Sequence, residues 1–356
     1  MAHPIERLRQ RMPDNMEAVW IRDTDDRFYF TGMRSSAGTL LVTRRSAFLI
    51  IDFRYYEQAA AQTKGCQVVE EKDLFGQAER ILKAEGVKRL SYCAGKTSVL
   101  GAREIARKIP GLAPDDSGEL DRLIESIRGI KDAGEAAWHR DAQRMTDEVF
   151  AHICRFIRPG MTELDIAQEI GRALVERGSE SRHFNFIVAS GPNSSLPHGF
   201  ATRRVVEAGD FIIMDFGAVV HGRLADMTRT VALGRASREQ RAVYGTVLEA
   251  QRRAMDSIRP GVRCRDVDAV ARSYIYGQGY EGCFSHGLGH AVGVQVHENP
   301  RFNETCDSLL EPGRVMTVEP GIYLSGRFGV RIEDMVWITP EGFENLTKSP
   351  KELLIL

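Results

Sequence analysis

Residues 209–233 read GDFIIMDFGAVVHGRLADMTRTVAL, and the fold is decided by how they are read. Two apolar runs, 211–214 and 227–232, flank Val220, His221 and Gly222, which predicts a β-hairpin. Opposed residues of an antiparallel pair have position numbers of constant sum. A turn centred between 220 and 221 therefore brings Asp215 to face Asp226. Opposed Cβ atoms on one sheet face lie roughly 4.5 to 5.5 Å apart, and like charges there are destabilising. A positive group is expected between them.

The arrangement returns in GRVMTVEPGIYLSGRFGVRIEDMVWIT at 313–339. There Glu319 and Glu333 are symmetric about Gly326, so they too are expected to face each other across a turn. A shift of 104 carries Gly209 to Gly313, Asp215 to Glu319, Gly217 to Gly321, Gly222 to Gly326 and Arg223 to Arg327. The return strands align best as Asp226-Met227 on Asp334-Met335, which leaves Glu333 one place off and predicts a bulge. A lone carboxylate in a strand usually points to water. Two opposed acidic pairs in apolar strands, repeated at one period, call instead for about two divalent cations.

The remaining composition narrows the field. The chain has 356 residues, enough for two domains, and a formal net charge of -1 with scattered basic residues, so it lacks the footprint of a nucleic-acid binder. No apolar run approaches the roughly 20 residues that span a bilayer. The N-terminal MAHPIERLRQRM has no apolar signal core, and the six cysteines (66, 93, 154, 264, 283, 306) stand singly. These features predict reduced thiols in a cytoplasmic protein without membrane or nucleic-acid partners.

Residues 1–128 alternate strand patterns (17–21, 39–43, 47–51, 89–93) with helical ones (55–63, 74–86, 98–109), which predicts a small α/β domain without a chemical cluster of its own. A long helical pattern then runs from about 121 to 157, interrupted near Gly129 or Gly134, with Met145, Val149, Ile153 and Phe156 on one face. Arg158-Pro159-Gly160 stops it, and Thr162 with Asp165 caps a second helix that closes at Gly178. The later segment repeats this plan: a helix over 237–258, a stop at Arg259-Pro260-Gly261, and a helix over about 265–279. Residues 129–356 are thus expected to be a duplicated helix–helix–hairpin domain, its two halves closing on one site.

Each half also places a histidine ahead of its first carboxylate. GPNSSLPHG carries His198, and SHGLGHAVGVQVHENP carries His286, His290 and His297. Gly289 and Gly293 bracket His290, so the backbone there is free to bring an imidazole close to an ion, and His290 is the expected nitrogen ligand. His198 and His297 lie 17 and 22 positions before a hairpin carboxylate and are expected to serve as acid, base or substrate contacts. His3, His139, His152, His183 and His221 have no such setting and are read as ordinary imidazoles. Arg331 shares a strand face with Glu333, where it would orient that carboxylate, bind a substrate carboxylate or form a structural ion pair.

These motifs resemble the pita-bread metallopeptidases, the group of methionine aminopeptidase, aminopeptidase P and prolidase, with creatinase as a metal-free relative. The likeness covers nearly the whole chain, since residues 1–128, with YFTGM at 29–33, resemble the N-terminal domain of the creatinase and prolidase branch. It implies an α/β (α+β) protein with that small domain ahead of a duplicated pita-bread catalytic domain. Asp215, Asp226, His290, Glu319 and Glu333 match the five metal-ligand positions, with Asp226 and Glu319 or Glu333 shared between two ions. His198 and His297 match active-site histidines, Arg331 an arginine near the metals, and Arg301 an arginine near the substrate carboxylate in several prolidases.

The hard donor set favours Mn²⁺ or Co²⁺, with Zn²⁺ or Fe²⁺ as alternatives. Two such ions sharing a water would lower its pKa for attack on a carbonyl. An imidazole, His297 or His198, would stabilise the oxyanion. By family likeness Glu319 would carry the proton to the leaving nitrogen. The resemblance implies cleavage before proline in short peptides, by a dipeptidase or an aminopeptidase, and a homodimer. Another metal-dependent hydrolase or lyase on this fold, or a non-catalytic peptide-binding protein, are the alternatives.

Overall fold

The computed structural model describes residues 2–180 and 186–356. The chain divides into two compact units, Met1–Arg128 and Gly129–Leu356.

The first unit is built on a six-stranded mixed sheet in the order Gln67–Glu70, Ala47–Ile51, Thr39–Thr43, Ala18–Ile21, Arg89–Tyr92, Ala113–Asp115. Helices Leu74–Ala84 and Val99–Lys108 bury Leu82 and Ile105 among Trp20, Leu41, Ile50 and Leu90. The sequence pattern missed helices Pro4–Arg11 and Thr24–Thr31 and strands Gln67–Glu70 and Ala113–Asp115. In Thr24–Thr31 the apolar residues Phe28, Tyr29 and Phe30 are consecutive, which conceals a helical period. Its start is set by Asp23, whose carboxylate accepts from the Asp26 N–H, and its end by Gly32 in the left-handed region.

The second unit is a repeat in space. In its first half, helices Ala133–Phe156 and Glu163–Glu176 back a three-stranded sheet ordered Met227–Ala232, Phe211–Phe216, Ile187–Ser190. Val149, Ile153, Ile166 and Ile170 pack on Ile212, Met214 and Val231. In its second half, helices Arg238–Ser257 and Cys264–Gly277 back a five-stranded sheet ordered Glu298–Phe302, Gly289–Ala291, Val315–Val318, Asp334–Thr339, Gly342–Asn345. Val243, Val247, Val267 and Ile275 pack there on Met316, Val318, Val336 and Ile338. Thr162 with Asp165 and Ser237 with Gln240 form capping boxes, and Gly160 and Gly261 take φ of 93° and 83° just beyond each first helix.

The hairpins differ in register. In the second, the pairings Val318↔Asp334 and Gly321↔Arg331 continue one register, so Glu319 faces Glu333 without the expected bulge. In the first, Asp215 pairs with Thr228, because the turn is the two-residue His221-Gly222, closed by Val220↔Arg223. His221 (φ 46°) and Gly222 (φ 67°) both take the left-handed conformation that such turns require. The centre therefore lies one position later than the sequence reading placed it, and Asp226 sits diagonally from Asp215 rather than opposite. A displacement of two keeps the strand parity, so both carboxylates remain on one face. Asp226 follows a tight passage in which a Cβ at Gly217 would lie 1.8 Å from the Ala225 carbonyl oxygen.

The two hairpins are stitched together. The Glu333 N–H donates to the Thr228 carbonyl (3.0 Å), and the Thr230 hydroxyl donates to the Arg331 carbonyl (2.9 Å). Beside them Arg229 and Asp334 form a fully buried ion pair at 2.8 Å. Removing Asp334 alone would strand the buried Arg229 guanidinium, at a cost of about 3–5 kcal/mol, whereas Asp334 also pairs with Lys351 (2.8 Å).

Candidate metal centre and active site

Nine side chains singled out in the sequence line one cavity of about 450 Å³: His198, Asp215, Asp226, His290, His297, Arg301, Glu319, Arg331 and Glu333. Asp226, His290 and Glu333 are its buried floor, with one donor atom from each lying within 4.8 Å of the others. The His290 Nε2 stands 3.3 Å from Glu319 Oε1 and 3.7 Å from Asp226 Oδ2. His198 and His297 are exposed, and the His297 ring packs edge-on against His290 with centroids 4.5 Å apart. Among the described residues the Arg301 guanidinium has no ion-pair partner. Arg301 sits opposite His290 in the ladder.

Arg331 faces Asp215 rather than Glu333. Its Nη2 donates to Asp215 Oδ2 (2.7 Å), Nη1 to the Tyr323 hydroxyl (2.8 Å) and the Pro197 carbonyl (3.0 Å), and Nε to Thr228 Oγ1 (3.0 Å). Thr228 in turn donates to Glu333 Oε2 (2.7 Å), so the expected orientation of Glu333 by Arg331 runs through this hydroxyl. Four of the five guanidinium N–H groups are taken.

The glycines around His290 make room for close neighbours, a backbone carbonyl at Gly289 and a side-chain carboxylate at Gly293. A Cβ at Gly289 would lie 2.1 Å from the Thr317 carbonyl oxygen, and one at Gly293 2.4 Å from the Glu298 carboxylate. Thr317 is a second hydroxyl missed in the sequence: it accepts from the His290 N–H (3.0 Å) and donates to Glu319 Oε1 (3.1 Å). His286, quoted in the sequence without a role, also lines the cavity, with Nε2 2.9 Å from the Tyr323 hydroxyl. Thr228 and Tyr323 carried one legible signal: each stands an even number of residues from a carboxylate of its own hairpin.

Of the other histidines, His3 caps a helix, His139 is buried with Nδ1 2.8 Å from the Leu224 carbonyl, His152 meets Glu169 and His221 forms the turn. His183 lies outside the described residues.

The electrostatics show what the floor needs. Burial, then the charge of Asp215, raises the Asp226 carboxyl well above its usual range, and burial, then Asp226, does the same to Glu333. Burial also pushes Glu319 up, but the His290 imidazole outweighs it and holds the group at about 2. Burial lowers His290, and Glu319 overrides that to raise it to about 9. Partial enclosure of the His297 ring, then the charge of His290, depress it to about 4 although the residue as a whole is exposed. Four carboxylates meet two cationic side chains, Arg331 and His290, so two carboxyls are forced toward the neutral form. Divalent cations would displace those protons, and an oxygen-rich set with one imidazole suits them. The residues fit the metal that this chemistry calls for.

A carboxylate cluster with one imidazole, held where two hairpins of a duplicated α+β domain meet, is a donor set that could hold divalent metal. Residues 137–340 match metallopeptidase family M24 and residues 4–130 the creatinase/prolidase N-terminal domain, and the chain belongs to that family. An Xaa-Pro dipeptidase of Pyrococcus horikoshii is 34% identical over 357 residues, covering 99% of each chain. The solved structure of an Xaa-Pro dipeptidase from Bacillus anthracis aligns with a TM-score of 0.93 at 37% identity, covering 99% of each chain. That of an X-Pro aminopeptidase from Thermotoga maritima aligns with a TM-score of 0.89 at 35% identity, covering 96% of this chain and 98% of that one. The family implies divalent metal ions and a peptide substrate.

Proposed function

We propose that the chain hydrolyses the peptide bond before proline in short peptides, with two divalent ions held by Asp215, Asp226, His290, Glu319 and Glu333. The observation that carries this reading is the convergence of all five donors on one cavity, with Asp226, His290 and Glu333 in ligating range of one another. Mn²⁺ or Co²⁺ is favoured by the donor set, with Zn²⁺ and Fe²⁺ as alternatives. When bound, such ions supply Lewis acidity toward the scissile carbonyl and a water of lowered pKa.

The remaining roles belong to the chain's own groups. His297, depressed to about 4, is neutral at pH 7, so it offers an N–H to a developing oxyanion without adding positive charge beside the ions. His198, exposed on the cavity wall, contacts the substrate from the other half. Glu319, kept ionised by His290, takes up a proton and returns it to the leaving nitrogen. Arg331 holds Asp215, leaving one N–H for the substrate, whereas Arg301, a cavity cation without an ion-pair partner among the described residues, suits a substrate carboxylate.

That cation favours a dipeptidase, in which the proline carboxylate ends within reach of Arg301. The aminopeptidase reading is supported by the likeness to the Thermotoga structure. Hydrolysis of Ala-Pro beside Ala-Pro-Ala by metal-loaded protein separates the two. Cleavage of Ala-Pro alone, with a raised KM in Arg301→Ala, is the expected result. Cleavage of the tripeptide alone would make the enzyme an aminopeptidase, and cleavage of neither would discard the substrate. A cytoplasmic homodimer completes the proposal, and sedimentation would check the assembly. No described helix is long and apolar enough to cross a membrane.

A further inference from the structure

We infer that Glu163, a residue outside the cavity lining, positions His198 for the reaction. The inference rests on the role proposed for His198 above.

Glu163 is the first residue of helix Glu163–Glu176 and is fully buried. Its Oε1 accepts from the Ser190 N–H (2.7 Å), the Ser190 hydroxyl (2.7 Å) and the Asn193 amide (3.2 Å). Its Oε2 accepts from the Asn193 amide (3.3 Å), the Thr202 N–H (3.0 Å) and the Thr202 hydroxyl (2.6 Å). One carboxylate thus gathers both ends of the segment 190–202 and Asn193 near its start, and His198 stands inside that segment. The helix reinforces the clamp: the N–H groups of Glu163 and Leu164 donate to the carbonyls of Arg204 and Thr202.

Two features make the clamp matter for the imidazole. The His198 ring takes no hydrogen bond among the described residues, so its place is set by the backbone that carries it. That backbone has little apolar anchoring, because Leu196 and Phe200 on either side are both 56% exposed. Further tethers come from the opposite half, where the Gly329 N–H donates to Ser194 Oγ (2.9 Å), the Gly326 N–H to Ser195 Oγ (3.1 Å) and Arg331 to the Pro197 carbonyl, and from its own half, where Phe200 bridges Ile187 and Arg204 donates to Ser190 Oγ (2.6 Å). Within its own half, Glu163 holds both ends of the segment. An acceptor-only side chain is required, since a glutamine would turn an NH₂ group toward buried donors and leave them unpaired.

The test is a kinetic cycle on the full-length, metal-loaded enzyme with Ala-Pro and Ala-Pro-Ala, comparing the parent, E163Q, H198A and E163Q/H198A. Bound metal and Tm are measured alongside. Because a group that orients another typically affects activity by about 10- to 100-fold, E163Q should lower kcat by that order, with KM moved less and metal content kept. E163Q/H198A should be no slower than H198A, because Glu163 acts through that imidazole. A purely structural clamp would shift Tm and leave the kcat of the folded enzyme at the parental value, which would overturn the inference. So would losses that multiply in the double variant. Parental activity in H198A would remove His198 from the proposed function, and the role of Glu163 with it. If E163Q fails to fold, T202V removes one donor and should show a smaller fall in kcat that also vanishes in H198A. A parental kcat in T202V would overturn the inference.

Discussion

The two acidic hairpins share a sequence period and an outcome but reach it by different geometry. In the second, a three-residue loop keeps Glu319 opposite Glu333. In the first, a two-residue turn slides the register, so Asp215 meets Thr228 and Asp226 stands outside the ladder. The electrostatic plan is nevertheless the same. Each hairpin holds one carboxylate against a cationic side chain, Asp215 with Arg331 and Glu319 with His290, and leaves its other carboxyl raised by burial and neighbouring charge. Face is preserved by parity while register is free to drift, so a repeated site survives a change of turn.

The strongest way to break this comparison is to remove the raised carboxyl of either half. Asp226→Asn and Glu333→Gln should each lower kcat/KM by more than about 100-fold, since even partners behind a metal ligand are worth 10–100-fold. If the halves are equivalent, the two losses will be of the same order; a loss in one variant only would make the site mononuclear. The mouth histidines come next. His198→Ala and His297→Ala should each lower kcat by about 10²-fold while metal stays bound, as for loss of an oxyanion donor. Metal loss in either variant would reassign that histidine as a ligand.

Arg331→Lys sharpens the contrast between the cations. A lysine cannot reproduce four N–H contacts to Asp215, Tyr323, Pro197 and Thr228, so metal affinity should weaken by about 10-fold in equilibrium dialysis. The smallest expected effect lies in the turns. Gly222→Ala puts a side chain at φ 67° beside His221, already at φ 46°, and should lower stability by about 1 kcal/mol in urea unfolding with turnover unchanged. Altered turnover would mean that register at this turn reaches the site.

What could be read in the sequence follows from the same physics. That four carboxylates share one cavity, and that the frame is duplicated, was legible because an acidic residue inside an apolar strand is costly, and the repeat supplied a second instance at one spacing. The register of the first hairpin was not, because Val220-His221-Gly222-Arg223 permits more than one turn centre. Thr228, Thr317 and Tyr323 are ordinary strand residues whose roles appear only when two hairpins meet. Glu163 was hidden differently: an acidic residue opening a helix already has a local reason to be there. Consecutive aromatics at 28–30 likewise concealed a helix whose start depends on one capping aspartate.

Whether both hairpins act together to hold two ions is tested by stripping metal from parent, Asp226→Asn and Glu333→Gln protein, adding Mn²⁺ back and counting the ions bound. Two ions per chain are expected in the parent and fewer than two in each variant, with the fold intact by circular dichroism. Two ions retained in either variant, or none bound by the parent, would contradict joint binding by the hairpins.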